Sequence, residues 1–116
     1  MKKLLLLFTI TFLLSSCEKD YYLIPANEVP RWLKDRISHD EKIIQSDPQS
    51  GLDVAAWIRY KYEGDYYFEH RNGLSSLGPE QYDFDGNKYQ PEDIFEYMEN
   101  RCCKRFVWKG PNYIDY

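Results

Sequence analysis

VAAWIRYKYEGDYYFEHR, residues 54–71, is the stretch on which the fold turns. Aromatic and β-branched residues crowd both halves, and Glu63-Gly64-Asp65 interrupts them, so the segment reads as two strands (Val54 to Tyr62, Tyr66 to Arg71) folded into a hairpin. Register is the open step. A three-residue loop places Ile58, Tyr60 and Tyr62 beside Tyr66, Phe68 and His70 and sets Arg59 opposite Glu69, whereas a two-residue Glu63-Gly64 turn reverses the faces of the second strand. The first is expected because it segregates apolar from charged side chains.

Upstream, Asn27 offers an N-cap and Pro30 suits the first turn of a helix running to about Gln45. Leu33, Ile37 and Ile44 fall on one side with Val29 and Trp32 near it, while Arg31, Lys34, Asp35, Glu41 and Lys42 face away. Ser46 to Gly51 ends the helix. Downstream, Leu74 to Pro79 reads as a loop and Glu80 to Phe84 as a third strand with Tyr82 and Phe84 inward, closed by Asp85-Gly86-Asn87. Pro91 opens a second helix to about Arg101 with Ile94, Phe95 and Met98 as its inner stripe, and Cys103 to Trp108 reads as a last strand. The order predicts an α+β domain: a small antiparallel sheet of three to five strands with two helices packed on one face.

All eleven tyrosines and all three tryptophans follow residue 20, while Leu, Ile and Val are scarce there, so aromatic rings must supply most of the buried area. The formal charge of −4 argues against nucleic acid, whose proteins carry a basic face.

The chain begins MKKLLLLFTITFLLSSC. Lys2 and Lys3 precede an apolar run from Leu4 to Leu14, which is the layout of a cleavable export signal. The run falls short of the ~20 residues that a spanning helix needs. Leu14-Ser15-Ser16-Cys17 resembles the lipobox of bacterial lipoproteins, in which the cysteine is acylated and becomes the new N-terminus. Glu18-Lys19-Asp20 is similar to the acidic export signal that lipoproteins of Bacteroidota carry after that cysteine. The resemblance implies removal of residues 1–16, palmitate on Cys17, and a lipid anchor in the outer membrane, on its periplasmic or cell-surface side, with the inner membrane as the other option. It covers only the first twenty residues. Residues 17–27 then form a tether, within which Tyr21 to Ile24 is either a short strand or a segment dipping toward head groups, and residues 28–116 form one small domain of about 100 residues at most.

Chemical signals in the domain are sparse. Gln81, Asp83, Asp85, Gly86 and Glu92 carry part of the rhythm of an EF-hand calcium loop, but Gln81 replaces the first aspartate, Lys88 holds an apolar position, and a strand precedes the loop. A hairpin turn accounts for the same residues without metal. Cys102 and Cys103 are adjacent, a spacing that disfavours an internal bridge and a metal site, so they read as one buried and one less buried thiol at the end of a helix, with a bridge to another chain as the second option. His39 and His70 stand in no catalytic motif. No cofactor, metal ligand or catalytic residue is therefore assigned. The remaining candidate is an open sheet face of Trp57, Arg59, Lys61, Tyr67 and Glu69, an aromatic flanked by arginine as in protein interfaces. The expectation is a lipid-anchored, non-catalytic envelope protein that binds another envelope protein or serves as an accessory subunit. The alternatives are an enzyme of cell wall or glycans, which needs His70 or a cysteine beside a carboxylate in a pocket, and a glycan-binding module, which needs a solvent-facing row of tyrosines.

Overall fold

The computed structural model describes residues 21–72 and 78–115. The readings placed on residues 1–20, Cys17 among them, and most of the Leu74 to Pro79 loop lie outside the described residues. Two helices and a four-stranded antiparallel sheet make an α+β fold. Helix α1 spans Arg31–Ser46 and is followed by strands β1 (Ala55–Tyr62), β2 (Asp65–Asn72) and β3 (Glu80–Tyr82), helix α2 (Ile94–Asn100) and strand β4 (Cys102–Lys109). The strands lie in the order β3-β2-β1-β4, every neighbouring pair antiparallel.

The hairpin closes through two residues. Glu63 (φ 50°) and Gly64 (φ 86°) both sit at positive φ, the pattern of a type I′ turn, whose twist matches that of the flanking strands. Tyr62 therefore pairs with Asp65, Tyr60 with Tyr67, Ile58 with Glu69 and Trp57 with His70. This corrects the expected three-residue loop: Arg59 lies opposite Phe68, not Glu69. Trp57, Phe68, His70 and Tyr82 share one face, while Ile58, Tyr60, Glu69 and Gln81 share the other.

Helix α1 covers the first face. Leu33 and Ile37 are wholly buried against Trp57, Phe68, Tyr82, Val107 and Trp108, with Ile24 and Val29 sealing the edge. Each tryptophan gives its ring to this core and its indole N–H to a fixed acceptor. Trp32 donates to the Phe84 carbonyl at 2.8 Å, Trp57 to Asp40 Oδ2 at 3.2 Å, and Trp108 to Glu41 Oε1 at 2.9 Å. The last two tie central and edge strands to α1, which explains why Asp40 is buried on the helix's inner side. The helix starts after Pro30 with no side-chain cap; Asn27, expected to cap it, sits in a 3₁₀ turn over Ala26–Glu28.

Helix α2 covers the second face, so the helices divide between the two sides of the sheet and do not share one. Asp93 caps α2, accepting from the Phe95 and Glu96 N–H groups. Its buried residue is Tyr97, whereas Ile94, Phe95 and Met98, expected as the inner stripe, are exposed. Tyr97 meets Tyr62, Tyr67 and Tyr89 at ring-centroid distances of 5.0, 5.9 and 5.4 Å, a packed tyrosine cluster. Beside it Ala56, Ile58 and Tyr60 form a second small core with Phe106 and Tyr113. The third strand ends at Tyr82, and Phe84, expected inward, is half exposed.

The segment expected to be tether is partly domain. The Leu23 N–H donates to the Val107 carbonyl at 2.9 Å, Tyr21 donates its hydroxyl to Glu41, and Ile24 is buried. No helix among the described residues is long and apolar enough to cross a membrane.

Two glycines separate strain from collision. At Gly64 a Cβ meets open space and costs only the left-handed backbone, about 1 kcal/mol; at Gly110 it would lie 2.4 Å from the Asp53 carbonyl oxygen, an overlap worth about 3 kcal/mol. Denaturant unfolding of Gly64→Ala and Gly110→Ala should show the second as clearly the more destabilised. Equal losses would contradict the packing of the β4 end against Asp53.

Candidate functional site

The five residues expected to form one open face do not assemble. Trp57, Arg59 and Lys61 lie on the α1 side of the sheet, Tyr67 and Glu69 on the α2 side, because the two-residue turn shifts β2 by one residue. Trp57, Arg59 and Glu69 are buried, Tyr67 is half-buried and Lys61 alone is exposed. Arg59 places its guanidinium 4.4 Å from the centre of the Tyr66 ring and pairs with Glu28 at 3.2 Å. The open face is thus a covered one.

The densest polar cluster lies under α2 and centres on Glu69. Its carboxylate is 1% exposed and receives Arg71 at 2.6 Å, Arg101 at 3.1 Å and the Gln81 side-chain amide at 2.7 Å. Gln81 in turn accepts from the Tyr97 hydroxyl at 3.1 Å, and Arg71 donates to the Tyr60 hydroxyl at 3.3 Å. The Arg101 guanidinium stacks 3.6 Å from the centre of the Tyr60 ring. A buried carboxylate is tolerated only when its lone pairs are filled, and here three donors fill them. The cluster locks β2, β3 and the end of α2 together. Burial raises the phenol pKa of both Tyr97 and Tyr60.

His70 stands on the other face. Its Nε2 is 3.5 Å from Asp40 Oδ2 without a hydrogen bond, and its ring lies 4.5 Å from that of Trp57. The histidine–carboxylate approach that an enzyme requires is present; two surface clefts among the described residues, of about 420 and 460 Å³, are lined by other residues. The cysteines lie at the far end: His70 pairs with Trp57 and Cys102 with Lys61, four residues along β1 or ~13 Å at strand rise.

Cys102 and Cys103 are joined to each other, which corrects the expectation of two free thiols. In a regular strand neighbouring side chains point to opposite faces, but Cys103 takes φ 64° and breaks that alternation at the start of β4. Both are exposed.

The acidic loop is closed by its own backbone. Asp83 Oδ1 accepts from the Asp85 and Asn87 N–H groups at 2.9 Å each, and among the described residues no group of three or more acidic, histidine or cysteine side chains is arranged to hold a metal ion. The tyrosines do not form a solvent-facing row, since among those described only Tyr21 is exposed.

What faces solvent is the outer side of α2. Phe95 is 77% exposed, with Ile94 and Met98 beside it. Tyr89, Gln90 and Pro91 border the same edge, where with Ile94 they line a cleft of about 460 Å³. The residues that sequence reasoning missed, Arg71, Gln81, Tyr97 and Arg101, all belong to the Glu69 cluster; one available signal was that Glu99 lies across the helix from Tyr97.

No protein-family model matches this chain, and no curated protein or solved structure matches it either, so its function has to be read from its own residues.

Removing the charge at Glu69 leaves Arg71 and Arg101 without the buried carboxylate that they share. Glu69→Gln should cost about 3–5 kcal/mol, seen as a loss of more than ~10 °C in Tm. An unchanged Tm would show that the cluster is solvated. The phenols supply a pH test. Tyr60, Tyr62, Tyr67, Tyr82, Tyr89 and Tyr97 all have raised pKa values, Tyr62 mainly through its hydrogen bond to Glu96 and the others mainly through burial. The folded chain keeps them protonated to higher pH than the unfolded chain does, so stability is complete below about pH 10 and falls as pH climbs past it. Tm measured from pH 8 to 11.5 should decline above about 10, with phenolate absorbance at 295 nm lagging behind that of free tyrosine. A flat Tm and a free-tyrosine titration curve would contradict the packed tyrosine cluster.

Proposed function

We propose that this chain is a lipoprotein held by acyl chains on Cys17 at the outer membrane, where its domain acts without catalysis by binding another envelope protein or serving as an accessory subunit. The observation that carries this reading is the distance between the lipid signal and the folded body. Tyr21 already engages Glu41 and Leu23 already bonds to β4, so three residues lie between Cys17 and the first docked side chain, a span of four residue steps. At ~3.3–3.6 Å per residue that is at most about 14 Å. Two or more acyl chains make attachment effectively permanent, which a short leash then converts into a fixed standing height above the bilayer.

Support also comes from how the polar chemistry is used. Glu69, Arg71, Arg101 and Asp40 are engaged in holding strands and helices together. His70 is stacked on Trp57, and the two cysteines are bonded to each other. Such a body is suited to presenting a surface.

Labelling the producing cells with radioactive palmitate should mark the protein, and Cys17→Ser should abolish the label. Globomycin should leave a precursor that keeps residues 1–16. A protein that carries no fatty acid and leaves the cell in soluble form would overturn the anchor.

A further inference from the structure

We propose that the outer face of α2 is the docking surface of this lipoprotein and that its occupant is a basic protein surface: an apolar pocket rimmed by lysine and arginine. The inference rests on the anchored, partner-binding reading above and adds the place and the chemistry.

Ile94, Phe95 and Met98 are all exposed, and Phe95 is the most exposed of the large apolar side chains. Positions 95 and 98 are neighbours on a helix surface, as are 94 and 98, so the three form one continuous patch. Their opposite side is fully occupied, because Tyr97 is buried against Tyr62, Tyr67 and Tyr89. The helix is therefore held on its inner side, by Tyr97 and by the bond from Tyr62 to Glu96, and shows its apolar residues outward. Folding does not demand that arrangement.

The rim specifies the occupant's charge. Between residues 91 and 100 the chain carries Glu92, Asp93, Glu96 and Glu99 and no lysine or arginine; Asp93 is engaged as the cap and Glu96 by Tyr62 and Asn100, which leaves Glu92 and Glu99 to face a partner. Glu63, in the hairpin turn, lies close enough to Tyr62 and Tyr89 to raise both phenols. The nearby Lys88 pairs with Glu80 at 3.6 Å. An apolar patch flanked in the chain by free carboxylates and no cation repels anionic head groups and anionic proteins and attracts a cationic one, giving specificity and a salt-sensitive association rate. Position adds to this. The lipid tether docks through Leu23 at Val107, whereas α2 leads into Cys102, five residues away along β4, or ~16 Å at strand rise. The patch is thus displaced from the point at which the chain leaves for the membrane.

The test places a photoreactive benzoylphenylalanine at position 95 of the full-length protein in intact producing cells, with irradiation and mass spectrometry of the adduct. The expected result is a protein adduct whose cross-linked segment is rich in lysine and arginine, and whose yield falls at least fivefold in a Glu92→Lys/Glu99→Lys background but not in a Lys61→Glu background. An adduct to lipid, to a second copy of this chain or to an acidic segment, or a yield indifferent to the charge reversal, overturns the proposal; so does the absence of any adduct. Palmitate incorporation measured in the same cells separates the two claims. If Cys17 is labelled and the charge-dependent adduct is missing, the surface fails alone, and if the adduct forms without label, the anchor fails alone.

Discussion

Glu63 and Gly64 both take positive φ, and that two-residue turn decides which side of the sheet every residue of β2 faces. It sends Phe68 and His70 toward α1 together with Trp57, and Glu69 toward α2 together with Ile58 and Tyr60. A slip of one residue would carry the Glu69 carboxylate away from Arg101 and in among Leu33, Ile37 and Trp57, on a face whose Arg59 is already paired with Glu28. The turn and the buried carboxylate therefore enforce the same register from opposite ends of the strand.

From this register come two unlike faces. The α1 side is an aromatic and aliphatic core whose three indole N–H groups fix the helix and the loop after β3. The α2 side is a polar network around Glu69, flanked by stacked tyrosines, onto which a helix of only seven residues is fastened. So short a helix is marginal alone. It holds because Asp93 caps it, Tyr97 plugs into the tyrosine cluster and Arg101 binds Glu69 at its end. This fastening leaves Phe95 and Met98 free of the fold, and it links the stability of the second face to the surface that the anchored protein presents.

The sequence made the α+β plan, the four strands, α1 and its inner stripe of Leu33 and Ile37 legible, because periodicity and turn residues act locally. Register was not legible from the same signals. Separating apolar from charged residues is a sound rule for a sheet with one wet face, but this sheet is covered on both, and Glu69 is buried as an ion with Arg71 and Arg101, the latter 32 positions away. The candidate face failed for that reason: Trp57, Arg59 and Glu69 are too buried to meet a partner. In α2 the apolar residues Ile94, Phe95 and Met98 imitate an inward stripe, and only the position of Glu99, across the helix from Tyr97, points the other way. The bond between Cys102 and Cys103 depends on a positive φ at Cys103, which no composition rule anticipates.

The register can be read directly from nuclear Overhauser contacts of the Phe68 ring. Contacts to the Trp32 and Tyr82 rings, with none to Tyr60, are predicted, since Phe68 packs 5.8 Å from the Trp32 ring and pairs with Tyr82. Contacts from Phe68 to Tyr60 and Ile58 would contradict the account, because Glu69 would then lie on the α1 side and the second face would lose the group that fastens α2.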